Sequence, residues 1–233
     1  MRVLLTRPRE DAKIVAEQLR EAGHEILSAP LLSVRFHDGP PLDLDGVQGV
    51  LATSANGVRA LARRSKRRDL PLFAVGPQTA KAARLAKFEY VKSADGDAAA
   101  LAEAVPRWAR AENGVMLHAA GAQGEGRLAA LLGANGFTIR TEFLYDVVAA
   151  DSLPAAVVEA LSAGTLDAAL FFSPRSARVF KDCIVSANLA QTCPRIIAVC
   201  ISKAAADALS PLAFAQCRIA AKPNQDALLE CLA

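Results

Sequence analysis

Short apolar runs of strand type alternate along this chain with stretches whose apolar positions recur at three- and four-residue steps. The first run, Val3-Leu4-Leu5, is followed after Thr6-Arg7-Pro8 by Ala12, Val15, Ala16, Leu19 and Ala22. That spacing predicts a helix with one buried stripe. Further apolar runs predict strands at 25–28, 50–53, 72–75 and 90–92, and then at 115–118, 138–142, 168–172, 196–199 and 218–220. Several of them are almost continuously apolar, as expected of parallel strands covered by helices on both faces.

The pattern also occurs twice. Val3-Leu4-Leu5, a helix ending at Ala22-Gly23, and Glu25-Ile26-Leu27 return as Val115-Met116-Leu117, a helix ending at Asn135-Gly136, and Thr138-Ile139. Val50-Leu51-Ala52-Thr53-Ser54 matches Ala169-Leu170-Phe171-Phe172-Ser173, and Phe73-Ala74-Val75 matches Ile197-Ala198-Val199. Asp97-Ala98-Ala99-Ala100-Leu101 matches Asn224-Gln225-Asp226-Ala227-Leu228. The expected fold class is therefore α/β, with two similar doubly wound parallel-sheet lobes from an internal duplication and a cleft between them. Two extended segments, 31–36 and 144–148, follow the second strand of each repeat, where the chain would leave one lobe for the other. Periodicity alone suggests two consecutive domains.

Composition narrows the class. With 233 residues, 52% of them hydrophobic, the chain is long enough for two domains of ordinary size. The opening apolar run stops at Thr6-Arg7-Pro8, too soon for a signal-peptide core, and no apolar stretch approaches membrane-spanning length. A cytoplasmic protein without a membrane partner is the expectation. The five cysteines, Cys183, Cys193, Cys200, Cys217 and Cys231, lie only in the second half, and His24, His37 and His118 lie elsewhere. Neither a zinc site nor a disulfide framework is supported, so reduced, mostly buried thiols and no metal are expected. A net charge of +3 names no partner but suits an anionic ligand gathered at one place.

In an open parallel sheet the loops after the carboxyl ends of the strands line the ligand crevice, and helix N-termini there offer N–H groups to anions. This chain has suitable loops at Thr6-Arg7-Pro8, Thr53-Ser54-Ala55-Asn56-Gly57, Gly76-Pro77-Gln78-Thr79, Ala94-Asp95-Gly96-Asp97, Ser173-Pro174-Arg175-Ser176 and Ile201-Ser202-Lys203. Any one of them is explained by helix capping. Their recurrence with similar chemistry at duplicated positions points instead to a donor-rich cradle.

These loops carry a resemblance. Thr53-Ser54-Ala55-Asn56-Gly57-Val58, then Ala74-Val75-Gly76-Pro77-Gln78-Thr79-Ala80 and Gly96-Asp97 before a helix, resemble the first half of the uroporphyrinogen-III synthase family. Leu5-Thr6-Arg7-Pro8, Leu144-Tyr145 and Phe172-Ser173-Pro174-Arg175-Ser176-Ala177 extend the match over nearly the whole chain. The resemblance implies a cofactor-free, monomeric enzyme of tetrapyrrole synthesis, with two α/β lobes joined by a two-stranded β-linker. It also implies a crossed arrangement, with residues 1–34 plus 147–233 in one lobe and 35–146 in the other. Its substrate would be hydroxymethylbilane, cyclised to uroporphyrinogen III with inversion of the last ring and release of water. Such a substrate closes unaided without inversion, so an enzyme must chiefly choose which carbon reaches the electrophile. That task needs many positioned donors more than a strong acid or base.

On this resemblance Tyr145 lies beside the cleft as the candidate catalytic group, a phenol able to hydrogen-bond the departing hydroxyl; its alternative role is a linker aromatic packed between lobes. Candidate substrate-binding positions are Arg7, then Ser54, Ala55 and Asn56, Thr79, Gly96 and Asp97, then Ser173, Pro174, Arg175 and Ser176, and Ser202. Arg7 and Arg175 would pair with propionate or acetate groups. Cys200-Ile201-Ser202-Lys203 departs from the glycine-and-threonine turn that its first-half counterpart carries. Gly121-Ala122-Gln123-Gly124-Glu125-Gly126 has the wrong glycine spacing for a dinucleotide fingerprint. The basic run Arg63-Arg64-Ser65-Lys66-Arg67-Arg68 lacks interleaved aromatics and reads as a solvated helix end, with no nucleic-acid partner. The rival class is a non-catalytic two-lobed binding or sensor protein that closes on a small anion.

Overall fold

The computed structural model describes residues 1–122 and 126–232. In chain order its strands are β1 (Arg2–Leu5), β2 (Glu25–Ser28), β3 (Leu32–Phe36), β4 (Val47–Ala52), β5 (Leu72–Ala74), β6 (Val91–Ser93), β7 (Val115–Gly121), β8 (Ile139–Ala149), β9 (Ala168–Phe171), β10 (Ile197–Cys200) and β11 (Gln216–Ile219). The helices are α1 (Arg9–Glu21), α2 (Ala55–Arg64), α3 (Pro77–Leu85), α4 (Ala98–Ala104), α5 (Arg127–Ala134), α6 (Ala155–Ser162), α7 (Pro174–Ser186), α8 (Lys203–Asp207) and α9 (Gln225–Glu230). They form two compact units, Met1–Ser33 with Val148–Ala233, and Val34–Val147. The division falls inside β3 and β8, so each unit draws chain from both halves of the sequence.

The first unit holds a sheet in the order β11-β10-β9-β1-β2, with parallel ladders throughout. Its centre is apolar on both faces because alternate residues of a strand point opposite ways. Leu4 packs with Phe171 and Phe180 on one face, while Val3 and Leu5 pack with Val15, Leu19 and Leu228 on the other. That two-sided burial is why β1 reads as an unbroken apolar run.

The second unit holds β3-β8-β7-β4-β5-β6. Val50, Leu72 and Leu117 face Val58 and Leu61 of α2, while Leu51, Phe73 and Met116 face Leu101, Leu128 and Leu132. Leaving out β3, the strand order β6-β5-β4-β7-β8 has the same form as β11-β10-β9-β1-β2 of the first unit. The matched helix ends share a device too. Gly23 and Gly136 sit at φ +81° and +82°, and His24 and Phe137 N–H groups return to Leu19 O and Leu132 O at 2.9 and 3.1 Å. A left-handed residue closing the last turn in this way is where glycine costs least.

The separate segments expected at 138–142 and 144–148 are one strand, the eleven-residue β8. It stays continuous because β7 pairs with its first part on one side and β3 lies on the other, so exposed Phe143 does not end the ladder. The five thiols are all unpaired, with Cys183, Cys193 and Cys200 buried and Cys217 exposed. Arg68 of the basic run donates to Ala62 O and Ser65 O at 3.2 and 2.8 Å, satisfying carbonyls at the end of α2. Gln123, Gly124 and Glu125 of the glycine-rich loop lie outside the described residues. Among the described residues no helix is long and apolar enough to cross a membrane.

Candidate functional site

The carboxyl end of β4 in the second unit runs into a cluster of polar groups. Ser54 has extended backbone angles and caps α2, its Oγ accepting from Gly57 N–H at 3.0 Å. The same Oγ lies 2.7 Å from the Tyr145 hydroxyl, a normal O–H···O separation. Each hydroxyl carries one proton, and the bond between them uses one of the two. One O–H donor is therefore left for a ligand. The Tyr145 ring is 7% exposed and packs with Val58 and Leu61 of α2, so its oxygen is held while its body is part of the core.

Two glycines make this contact geometrically possible. A Cβ on Gly57 would stand 2.4 Å from Ala119 O of β7, so α2 reaches the sheet only without a side chain there. A Cβ on Gly121 would stand 2.8 Å from the Tyr145 ring, and Gly121 is Tyr145's partner in the β7–β8 ladder just past a bulge. Behind Ser54, Thr53 Oγ1 lies 3.4 Å from Nε2 of His118. His118 is 5% exposed, and burial pushes its pKa below the usual histidine value.

The neighbouring loops present main-chain donors. Ser54 serves Gly57, so the N–H groups of Ala55 and Asn56 in the same turn are left over, while the Asn56 side chain accepts from Arg59 at 2.7 Å. Gly76 has no side chain with which to cap α3, and Pro77 at its first position has no N–H. The amides of Gln78 and Thr79 then head that helix without a side-chain acceptor, with Thr79 5% exposed. Asp97 behaves differently. Its carboxylate accepts from Ala99 and Ala100 N–H at 2.9 and 3.0 Å, and the Ala100 and Ala99 bonds hold its pKa below the usual carboxylate range. It is a cap whose charge disfavours an incoming carboxylate, and Gly96 before it lets the turn close against Ala100, where a Cβ would stand 2.6 Å from the alanine methyl.

The first unit presents a cation and a second set of caps. Arg7 follows β1, its guanidinium 4.8 Å from the centre of the Phe172 ring and donating to Gln225 Oε1 at 2.9 Å. Gln225 is held in turn by donating to Gln18 at 2.8 Å. Burial lowers the Arg7 pKa, offset in part by Asp11, so the group is a partly desolvated cation of fixed direction. Thr6 beside it is fully buried, its hydroxyl donating to Leu170 O at 2.6 Å.

Ser173 caps α7 by accepting from Ser176 N–H at 3.1 Å. Ser176 is 4% exposed, and its hydroxyl donates to Ser173 O at 2.9 Å with the two Oγ atoms 3.0 Å apart. Both hydroxyls are thus engaged within the turn. Pro174, at the first position of α7, has no N–H to offer, and Arg175 after it is half-buried. Ser202 caps the short α8 through Ala205 N–H at 3.3 Å.

Within the second unit the structure thus brings together Ser54, Ala55, Asn56 and Tyr145 around the start of α2. In the first unit Arg7 is held by Phe172 and Gln225, while Ser173, Pro174, Arg175 and Ser176 form a separate turn. Sequence reasoning did not single out Gly121, His118, Phe172 or Gln225 as site residues. Gln225 lies within the repeat anchor that copies Asp97-Ala98, which was its one signal.

Residues 13–230 match the family model described as uroporphyrinogen-III synthase HemD. The fold is similar to the crystal structure of uroporphyrinogen-III synthetase from Helicobacter pylori 26695, with TM-score 0.66 and 18% identity over 100% of this chain and 98% of that one. It is also similar to a mutant uroporphyrinogen III synthase from the extremely thermophilic bacterium Thermus thermophilus, with TM-score 0.53 and 17% identity over 100% and 97% of the two chains. At these identities the likeness carries the fold alone. No curated protein matches the chain. Because the family match runs over nearly its whole length, the chain belongs to the uroporphyrinogen-III synthase family.

Proposed function

We propose that this protein is a uroporphyrinogen-III synthase, a lyase of tetrapyrrole biosynthesis that cyclises hydroxymethylbilane with inversion of the last pyrrole ring and release of water. The observation that carries this reading is the family match over residues 13–230. The polar architecture supports it. In the second unit, the main-chain N–H groups of Ala55, Asn56, Gln78 and Thr79 at helix starts suit the carboxylates of a polyacid, and in the first unit the Arg7 guanidinium suits a carboxylate. The hydroxyls of Ser173 and Ser202 serve as the caps of α7 and α8.

In the reaction the terminal C–O bond breaks with its electron pair going to oxygen, and a proton completes water. Tyr145 supplies the hydrogen bond, and then the proton, to that departing oxygen. The resulting electrophile is attacked by the substituted carbon of the last ring, and the spiro intermediate breaks and recloses with that ring turned over. The proton lost as the last pyrrole regains aromaticity restores the phenol through solvent. The gain over spontaneous closure comes from holding the chain of rings so that the substituted carbon is nearest.

We further infer that the two units descend from one duplicated α/β segment whose parts were exchanged, with β3 and β8 as the crossing strands. The common strand order and the matched glycine helix ends support this. The test of function is direct: purified protein is mixed with freshly generated hydroxymethylbilane and the products are separated by chromatography. Type III product carries the proposal, and type I product alone ends it.

A further inference from the structure

We propose that Ser54 is the positioning residue that aims the Tyr145 hydroxyl, and that the bare main chain at Gly121 reserves the space in which the tyrosine ring is held. This rests on the reading of Tyr145 as the donor to the departing hydroxyl.

Three constraints converge on the phenol oxygen. Ser54 Oγ is fixed by the turn it caps, accepting from Gly57 N–H at 3.0 Å. The turn is fixed against β7 because Gly57 sits where any Cβ would meet Ala119 O at 2.4 Å. The ring is fixed from the other side by Gly121, whose missing Cβ would lie 2.8 Å from two ring carbons and 3.1 Å from the phenol oxygen itself. The 2.7 Å contact between the hydroxyls is therefore imposed by main chain at both ends.

Ser54 Oγ accepts from Gly57 N–H and keeps a second lone pair, so either hydroxyl can donate to the other. Tyr145 can pass its proton to a ligand only in the arrangement in which the Ser54 proton points to the Tyr145 oxygen, and that arrangement is the one we assign. When that proton passes to the leaving oxygen, the negative charge on the phenol oxygen meets the Ser54 O–H. The Ser54 O–H is itself polarised by an N–H at the positive end of α2. Ser54 neither gains nor loses a proton in this step. It acts through Tyr145, which makes it a positioning residue.

The test compares Ser54→Ala, Ser54→Gly and Ser54→Thr, alone and with Tyr145→Phe, for type III formation. Glycine is well tolerated at a helix cap, so Ser54→Gly removes the hydroxyl while costing the helix little. Ser54→Ala and Ser54→Gly are expected to lower kcat about tenfold, the worth of one hydrogen bond made in the transition state, with KM nearly unchanged. Ser54→Thr restores most of the rate, and in Tyr145→Phe the serine substitutions cost nothing further. Equal losses in both backgrounds, or a loss confined to KM, overturns the proposal.

A second readout needs no turnover. Tyr90 and Tyr145 are the only tyrosines, so ring-carbon NMR of 13C-tyrosine protein resolves them with Tyr90→Phe as the assignment control. Ser54→Gly is expected to shift the Tyr145 signal while leaving the Tyr90 signal unmoved. An unchanged Tyr145 signal sinks the pairing even if the enzyme makes type III product. A shifted signal in a protein that makes only type I leaves the pairing standing and removes the functional reading.

Discussion

Gly57→Ala sets two effects of opposite sign against each other. In a helix interior alanine is favoured over glycine by about 1 kcal/mol. At Gly57, however, the added carbon would stand 2.4 Å from Ala119 O, a main-chain atom of β7, which is held between β4 and β8. Neither neighbour can yield cheaply, and overpacking of this kind costs about 1–3 kcal/mol. The net expectation is a loss of up to about 2 kcal/mol. Gly133 of α5 is the control, because nothing lies within 4 Å of its added carbon. Gly133→Ala is expected to stabilise by up to about 1 kcal/mol. Trp108, the single tryptophan, lies in the same unit as both glycines and reports its unfolding by fluorescence in urea. Opposite shifts of the two midpoints support the close approach of α2 to β7, whereas a similar gain in both variants refutes it. Gly57→Ala should also slow type III formation, since Ser54 moves with the helix it caps.

Thr6→Val removes a fully buried hydroxyl bonded to Leu170 O, and a loss of about 1–3 kcal/mol in urea unfolding followed by circular dichroism is expected. His37 has its pKa raised by its bond to Asp146 and then by Phe143 O, at 3.0 and 2.9 Å, so its stabilising contribution is complete below the unfolded value of 6.5 and fades as pH rises through the higher folded value. The stability gap between the wild type and His37→Ala should narrow over that rise, and a gap that widens contradicts the assignment. Arg7→Lys loses the planar contact with Phe172 and the bond to Gln225, and it is expected to raise KM about tenfold with kcat little changed; a fall in kcat alone would place Arg7 elsewhere in the reaction.

The strands of both sheets were legible because two-sided burial leaves unbroken apolar runs such as Val3-Leu4-Leu5 and Val50-Leu51-Ala52. The continuity of β8 was not, since Thr141-Glu142 looks like a strand end and only the flanking strands carry the ladder past it. Helix caps were readable as polar residues before apolar periods, yet whether a hydroxyl caps or meets a ligand depends on its rotamer and neighbours. Ser54 does one job for Gly57 and another for Tyr145, and no spacing reveals the second. Gly121 looks like loop chemistry in sequence, but the Tyr145 ring across the ladder is what requires it. The setting of Arg7 escaped for a related reason, as Gln225 lies 218 residues away in the chain. Repeat periodicity likewise carries no information on which halves pack together, and the crossed arrangement entered only through the family resemblance.

An enzyme that directs ring closure of a substrate able to close by itself must change the ratio of isomers in proportion to its own concentration. With hydroxymethylbilane generated freshly at a constant level, the type III fraction should climb with added protein until type I is suppressed. A product that stays type I at every protein concentration would contradict the account.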